Sequence, residues 1–120
     1  GAVYAEADRL GLTRGAGALA AALARVAGAS QEELLTAGLV HNDLQDAARS
    51  LCPGVDDALD ALRATGAGHA LVSGSGPTCV GLFSDLEEAR DAARQLAARR
   101  PAPILTATVP AGSGAVRPAP

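Results

Sequence analysis

A loop of small residues joins two short apolar segments, and this arrangement constrains the fold of the chain more than any other feature. The segments 69–73 and 78–83 have the length and composition of β-strands, so the loop between them predicts an antiparallel hairpin. Glycines on both sides of a serine also allow a close backbone approach and turn several N–H groups toward one point. The residues alone leave two interpretations open, a tight turn or a turn that faces a phosphate-bearing ligand. The loop consists of Ser73, Gly74, Ser75, Gly76, Pro77 and Thr78.

Helical patterns precede the hairpin, and one follows it. Capping boxes, in which a small polar residue is followed three positions later by Glu or Gln, begin at Ser30, Asn42 and Ser84. Pro53 suits the first position of a further helix, in which Val55 begins a buried stripe. The spacing of apolar residues and the breaks between them predict helices over 3–10, 18–26, 31–39, 46–51, 53–65 and 85–100.

A last apolar segment completes an α+β fold. Residues 104–109 have the composition of a third strand, so the sequence predicts a three-stranded antiparallel sheet with helices packed on one face. This domain would span residues 1–109. The segment 110–120 consists of Gly, Pro and other small residues and predicts a flexible tail.

The absence of lysine excludes two kinds of chemistry within this chain. All ten basic residues are arginine, whereas a Walker-type phosphate loop and a Schiff base both need a lysine amine. A net charge of −3, scattered arginines and an aromatic content of 2% argue against nucleic acid as a partner. No stretch reaches the roughly 20 apolar residues that span a bilayer. No secretory leader is visible, so we expect a cytoplasmic protein without a membrane partner.

The remaining reactive side chains do not assemble a reaction centre by themselves. Cys52 and Cys79 have no metal-ligand spacing and are expected to be buried free thiols. His41 and His69 are expected at the surface or at helix ends, and no metal site is predicted. Tyr4 has two interpretations, an amphipathic anchor with its hydroxyl in water or a flat surface on which a ring stacks. Its position alone favours the anchor.

Four stretches together resemble the C-terminal domain of the GHMP superfamily of small-molecule kinases. They occur in matching order and spacing between residues 2 and 109. Within the superfamily, the resemblance is most specific to the kinases that act on 4-diphosphocytidyl-2-C-methyl-D-erythritol in non-mevalonate isoprenoid precursor synthesis. The stretches are Val3-Tyr4, His41-Asn42-Asp43-Leu44-Gln45, Pro53-Gly54-Val55 and the run from Ser73 to Phe83.

The resemblance implies a ferredoxin-like sheet and a role for each matched stretch. The loop 73–78 would lie beside the ATP phosphate loop of an N-terminal domain and shape the phosphate-transfer pocket. The ring of Tyr4 would stack on the cytosine of the substrate. Asn42 and Asp43 would cap a helix near the loop, and Gln45, which stands where Glu is more usual, would preserve the capping box.

The resemblance also implies what this chain does not do alone. The catalytic residues and the sites for ATP and Mg²⁺ belong to the N-terminal domain of such a kinase, which transfers the γ-phosphoryl group of ATP to the 2-hydroxyl of the acceptor. We therefore expect the isolated chain to hold no catalytic residue, nucleotide or metal, and to be inactive. Its partners would be that N-terminal domain and a small-molecule cytidine diphosphate derivative. Family members have a further strand just before this segment, so an exposed sheet edge and pairing between two copies are also expected.

Two alternatives stay open on the sequence. The chain could be the C-terminal domain of a GHMP kinase for homoserine or a mevalonate derivative, although such a kinase gives no reason for an aromatic ring at Tyr4. It could also be a free-standing ligand-binding or dimerisation module. That module would use a ferredoxin-like sheet and would need the complete sheet within the chain.

Overall fold

Six helices and one β-hairpin make up the part of the chain that the structure describes. This structure, a computed structural model, describes residues 1–12, 14–36 and 39–108. The predicted tail 110–120 and the last residue of the predicted third strand lie outside those ranges. In chain order the elements are α1 (Ala2–Leu10), α2 (Ala16–Gly28), α3 (Gln31–Thr36), α4 (Gln45–Leu51), α5 (Gly54–Ala64), β1 (His69–Val72), β2 (Cys79–Leu82) and α6 (Leu86–Gln95).

The hairpin forms as the sequence predicts. Strands β1 and β2 pair antiparallel, in a register that places Val72 opposite Cys79. The N–H of Ser73 donates to the carbonyl of Thr78 at 2.8 Å and closes the ladder beside the loop. The combination of helices with an antiparallel sheet confirms the α+β class.

One apolar core lies between the hairpin and helices α4 and α5. Val55 and Leu59 on α5 are each 1% exposed, and Val72 on β1 is fully buried. Burying each such side chain contributes roughly 1.5–3 kcal/mol. Val55, Leu59 and Leu62 share one face of α5, which confirms the predicted stripe. The buried cluster consists of Ala48, Val55, Leu59, Ala70 and Val72.

The third strand predicted over 104–109 does not form in the described residues. The sheet there has two strands, and residues 104–108 are neither strand nor helix. Ile104 is 91% exposed, so the apolar pattern of this segment is not buried against a sheet. A strand depends on pairing with a neighbour, which local composition does not reveal. Pro101 and Pro103 also lack the N–H groups that would begin a ladder.

The helix caps confirm one predicted capping box and correct another. At α3, Ser30 N–H donates to Glu33 Oε2 at 2.8 Å, and Glu33 N–H donates to Ser30 Oγ at 3.3 Å. This reciprocal pair is the predicted box. At α6 the cap is Asp85 rather than Ser84, because Asp85 Oδ1 accepts from the N–H of Glu87 at 2.6 Å.

Several helix ends differ from the prediction by a few residues. Helix α2 extends beyond 18–26 at both ends, and α6 ends at Gln95 rather than near residue 100. Helix α3 ends at Thr36, and residues 37 and 38 of the predicted helix lie outside the described ranges. No helix within the described ranges combines the length and the apolar character that crossing a bilayer requires.

Candidate functional site

The loop 73–78 turns sharply through two glycines with positive φ. Gly74 has a φ of 56° and Gly76 a φ of 71°, a region that residues with a Cβ atom rarely adopt. The N–H of Gly76 donates to the carbonyl of Ser73 at 3.0 Å, so the turn closes on itself. The loop is therefore a tight turn between β1 and β2.

Gly76 lies where this loop meets the core. A Cβ atom at Gly76 would lie 3.1 Å from Val72 Cγ1 and 3.4 Å from Ala48 Cβ, and both neighbours are buried. A Cβ atom at Gly74 would meet nothing within 4 Å. The loop thus packs on α4 at one glycine and faces open space at the other.

The side chain of Asn42 ties the segment before α4 to the loop. Its Nδ2 donates to the carbonyls of Val72 and Gly74, at 2.8 Å each. Its Oδ1 accepts from the N–H of Leu44 at 3.1 Å, so the oxygen and the nitrogen of the amide both have partners. Asn42 therefore lies against the loop, but it does not cap α4, whose N-cap position is Leu44.

Gln45 does not close the predicted capping box. Its Oε1 accepts from the N–H of Val72 on β1, at 2.9 Å, rather than from the backbone at Asn42. No side chain caps the N-terminus of α4. The capping-box pattern therefore predicted a hydrogen bond from Gln45 but named the wrong partner. The N–H of Val72 has no strand beside it on β1, and Gln45 bonds to it instead.

Asp43 holds two neighbouring side chains next to the same segment. Arg14 Nε donates to Asp43 Oδ1 at 2.6 Å, and His41 Nε2 lies 3.1 Å from that oxygen. Asp43 therefore bonds outward to these side chains rather than capping α4. Two adjoining depressions of about 150 and 300 Å³ share Arg14 and His41 as lining residues. The carboxylates of Asp43 and Asp46 beside Arg14 and Arg25 leave little net charge there.

Tyr4 lies on α1 and is 57% exposed. Helix α1 packs against α4, and Val3 contacts the core cluster that contains Ala48. Both α1 and the loop therefore lie against α4. The loop does so at Gly76, which lies next to Ala48. The exposed ring of Tyr4 has a face that is free for stacking. Since α1 packs on α4, and α4 lies against the loop, Tyr4 and the loop are held on the same helix.

A perturbed carboxyl group lies at the junction of α1 and α4. Arg9 donates two hydrogen bonds to Glu6, at 2.7 Å each, and Ser50 Oγ donates a third at 2.8 Å. The bond from Arg9, followed by that from Ser50, lowers the pKa of Glu6 to about 2. Glu6 is therefore an ionised anchor between the two helices rather than a proton donor at neutral pH.

The two cysteines differ in their exposure. Both are free thiols, as predicted, but Cys52 is exposed, so the prediction that both are buried is wrong. Cys79 is half-buried, and its Sγ contacts the carbonyl of Pro77 at 3.5 Å. Burial, followed by the nearby Cys52, raises the pKa of the Cys79 thiol. Cys79 is therefore protonated at neutral pH and serves to pack the hairpin.

The side chains of the segment before α4 that bond to Val72 and Gly74 are both amides, from Asn42 and Gln45. Mg²⁺ prefers carboxylates and phosphates as ligands. Within the described ranges, no three His, Cys, Asp or Glu side chains gather in a way that would hold a metal ion. These amides do not make a Mg²⁺ site of their own.

Sequence reasoning missed several contacts that hold this region together. Arg14 reaches Asp43 across 29 positions, and Gln45 reaches Val72 across 27. Pairs that far apart leave no periodic pattern in the sequence. The one available signal was the density of polar residues in the segment 41–46, which indicates a bonded cluster but not its partners.

Comparisons with known proteins show which family the chain resembles. The family profile described as "GHMP kinases C terminal" matches residues 18–102. The chain is 46% identical over 96 residues to the 4-diphosphocytidyl-2-C-methyl-D-erythritol kinase of Thermobifida fusca, covering 80% of this chain and 31% of the relative. It is 45% identical over 98 residues to the protein of that name from Streptomyces avermitilis, covering 81% of this chain and 33% of the relative. The chain is 43% identical over 100 residues to the protein of that name from Salinispora arenicola, covering 79% of this chain and 31% of the relative.

The relatives are much longer than this chain. It spans about a third of the length of the curated relatives that it matches. No solved structure matches the chain. The sequence comparisons therefore bear on this region of the relatives, and the activity of a whole relative is a separate matter.

Proposed function

The chain belongs to the GHMP kinase C-terminal family, and we propose that it is the C-terminal part of a kinase acting on 4-diphosphocytidyl-2-C-methyl-D-erythritol. Such an enzyme transfers the γ-phosphoryl group of ATP to the 2-hydroxyl of its acceptor, in non-mevalonate isoprenoid precursor synthesis. The observation that carries the proposal is an identity of 46% to a kinase of that name, over 96 residues that make up 80% of the chain.

In this proposal the chain contributes positioning rather than covalent chemistry. Phosphoryl transfer depends on in-line placement and on stabilising the charge of the transferred group. ATP supplies that group and Mg²⁺ neutralises its charge, and we propose that an N-terminal domain preceding this chain holds both. The loop 73–78 would line the transfer pocket, and its fixed turn supports that role because a rigid backbone keeps its N–H groups in place. The isolated chain is then expected to be inactive.

Tyr4 is proposed to hold the cytosine of the acceptor. Its ring is exposed, and α1 is anchored to α4 through the bond between Ser50 and Glu6. A fixed and exposed aromatic ring offers a face on which a nucleobase can stack. Kinases for homoserine or mevalonate derivatives would have no base to place there, so Tyr4 separates the proposal from those alternatives.

The acceptor is tested with the protein in which an ATP-binding domain precedes this chain. ADP release is measured with 4-diphosphocytidyl-2-C-methyl-D-erythritol, with homoserine and with mevalonate compounds. We expect turnover with the cytidyl compound. Turnover with another acceptor would move the chain to a different branch of the superfamily, and no turnover with any of them would favour a free-standing binding module.

Tyr4→Ala tests the stacking in the same assay. Loss of a base–aromatic stack costs about 1–3 kcal/mol, so the KM for the acceptor should rise about 5- to 150-fold while kcat changes little. Tyr4→Phe keeps the ring and is the matched control, expected to keep the KM of the wild type. An unchanged KM in Tyr4→Ala would remove Tyr4 from the acceptor site.

The expectations about assembly and location are also proposals. A ferredoxin-like sheet would need further strands beside the β1–β2 hairpin in the longer protein. Pairing between two copies would use β2, because Asn42 and Gln45 already bond the outward backbone groups of Val72 on β1. We place the protein in the cytoplasm, since an exposed free thiol such as Cys52 suits a reducing compartment.

A further inference from the structure

Val72 lies at the open edge of β1. Ser73 N–H bonds to Thr78 across the hairpin, so the alternation of an antiparallel ladder directs the N–H and C=O of Val72 away from β2. The side chain of Val72 is fully buried. Backbone groups at such a position are costly to leave without partners.

Two side chains from one short segment satisfy both groups. Gln45 Oε1 accepts from Val72 N–H at 2.9 Å, and Asn42 Nδ2 donates to the Val72 carbonyl at 2.8 Å. Gln45 N–H also donates to the Asn42 carbonyl at 3.0 Å, so the two residues are joined to each other. We call these two side chains the amide clamp. The clamp bonds β1 as a neighbouring strand would.

The amide clamp also reaches into the loop. Asn42 Nδ2 donates to the carbonyl of Gly74 at 2.8 Å. Packing does not hold this residue, since a Cβ atom at Gly74 would meet nothing within 4 Å. The bond from Asn42 therefore restrains the exposed half of the loop. Gly74 lies inside the turn that Gly76 N–H closes with the Ser73 carbonyl, so the Gly76 N–H reports on this restraint. The two bonds to Val72 would be enough to cover the edge of β1. The bond to Gly74 is additional and acts on the loop.

We propose that Asn42 and Gln45 are positioning residues that set the direction of the loop 73–78 for phosphoryl transfer. They act through Val72 and Gly74 and need no contact with the substrate. The kinetic part of this inference rests on the proposed function. The restraint on the loop is a property of this chain and is measurable without any enzyme assay.

Three variants separate the bonds of the amide clamp. Asn42→Asp keeps the size of the side chain and the oxygen that accepts from Leu44, but it loses both donated bonds and faces two carbonyls with a carboxylate. Gln45→Leu removes the acceptor for Val72 N–H at nearly constant volume. Gln45→Glu keeps an acceptor oxygen and is the matched control.

Amide hydrogen exchange in the 120-residue chain tests the restraint directly. In Gln45→Leu and Asn42→Asp we expect the N–H groups of Val72 and Gly76 to exchange about tenfold faster than in the wild type. The N–H of Leu59 in α5 reports global opening and should keep its protection. Gln45→Glu should match the wild type at all three positions. Should Asn42→Asp unfold the chain, Gln45→Leu decides alone, because it removes a single bond.

Steady-state kinetics in the longer kinase tests the consequence for transfer. We expect kcat to fall about 10- to 100-fold in Asn42→Asp and Gln45→Leu, since a displaced loop misplaces the reacting groups. The KM for the cytidyl acceptor should stay near that of the wild type, and Gln45→Glu should recover kcat. Because a smaller folded fraction would also lower the apparent kcat at constant KM, kcat is calculated per folded molecule. A purely structural role would leave that value unchanged.

The two measurements keep this inference apart from the proposed function. Unchanged exchange at Val72 and Gly76 in Gln45→Leu would overturn the restraint on the loop. Faster exchange with an unchanged kcat would show that the restraint has no role in transfer and would overturn the positioning role. A wild-type protein that turns over no acceptor would contradict the proposed function, while the exchange data would still decide whether the clamp holds the loop.

Discussion

Helices α2 and α5 differ in how their apolar residues are used. None of the 13 residues of α2 is buried, and Leu19 and Leu23 are 48% and 60% exposed. In α5, Val55 and Leu59 are each 1% exposed because the helix packs on both strands of the hairpin. Alanine and leucine form a helix in either setting, but burial requires a partner surface. The candidate site lies in the packed region, where the loop, α4 and α5 hold one another.

The largest expected effect comes from removing a core side chain on the packed side. Leu59→Ala leaves a cavity beside Val72 and should lower the free energy of unfolding by about 2–5 kcal/mol, measured by urea denaturation. Leu23→Ala in α2 is the matched control and should change the free energy of unfolding by less than about 0.5 kcal/mol. Equal losses in the two variants would show that α2 is packed against a surface in solution.

A methyl group at Gly76 tests the contact between the loop and the core. In Gly76→Ala the new Cβ meets Val72 and Ala48 in addition to the strain of a positive φ, and stability should fall by about 1–3 kcal/mol. Gly74→Ala carries the positive φ without any contact, so it should lose less. If the two variants lose the same amount in urea denaturation, the packing of Gly76 on α4 contributes nothing.

A glycine-to-alanine substitution in α2 should raise the stability instead of lowering it. Gly17 lies within the helix, and a Cβ atom there would meet nothing within 4 Å. Gly17→Ala should therefore stabilise α2 by about 0.5–1 kcal/mol, through the lower conformational entropy of alanine in the unfolded chain. Circular dichroism during thermal unfolding measures the gain in helix. A loss of stability would mean that Gly17 contacts a surface in solution.

The smallest expected effect is the pH dependence at the junction of α1 and α4, because Arg9 is exposed and solvent screens its ion pair with Glu6. Folding lowers the pKa of Glu6 from its ordinary value of 4.5 to about 2, because Arg9 and Ser50 bond the carboxylate. The stabilisation from Glu6 is therefore complete above pH 4.5 and is lost as the pH falls toward 2. Glu6→Gln should flatten this part of the stability curve, measured by urea denaturation across that window. If Glu6→Gln shows the same slope of stability against pH as the wild type, the pH dependence comes from other carboxylates.

The sequence predicted the elements that carry their own local signal. The apolar spacing at Val55, Leu59 and Leu62 gave α5, and the reciprocal pair Ser30 and Glu33 gave the start of α3. The paired apolar segments around the loop gave the hairpin with its ends within one residue. Each of these depends on residues close together in the chain, so local physics is sufficient.

Long-range partners could not be predicted in the same way. The segment 104–108 has strand composition but does not pair, since pairing depends on where other strands lie. Gln45 fits a capping box equally well as a bond to β1, and only the fold brings Val72 within reach. The glycine loop was visible in the sequence, whereas its attachment to Asn42 required the structure. For Tyr4 the residues leave an anchor or a stacking surface as alternatives, and only the resemblance favours stacking.

A competition between acceptors shows which compound the kinase phosphorylates. The longer protein containing this chain is given γ-labelled ATP and an equimolar mixture of 4-diphosphocytidyl-2-C-methyl-D-erythritol, homoserine and mevalonate, and the labelled product is identified by mass. We expect label on the cytidyl compound alone. Label on homoserine or mevalonate would rule out the proposed acceptor.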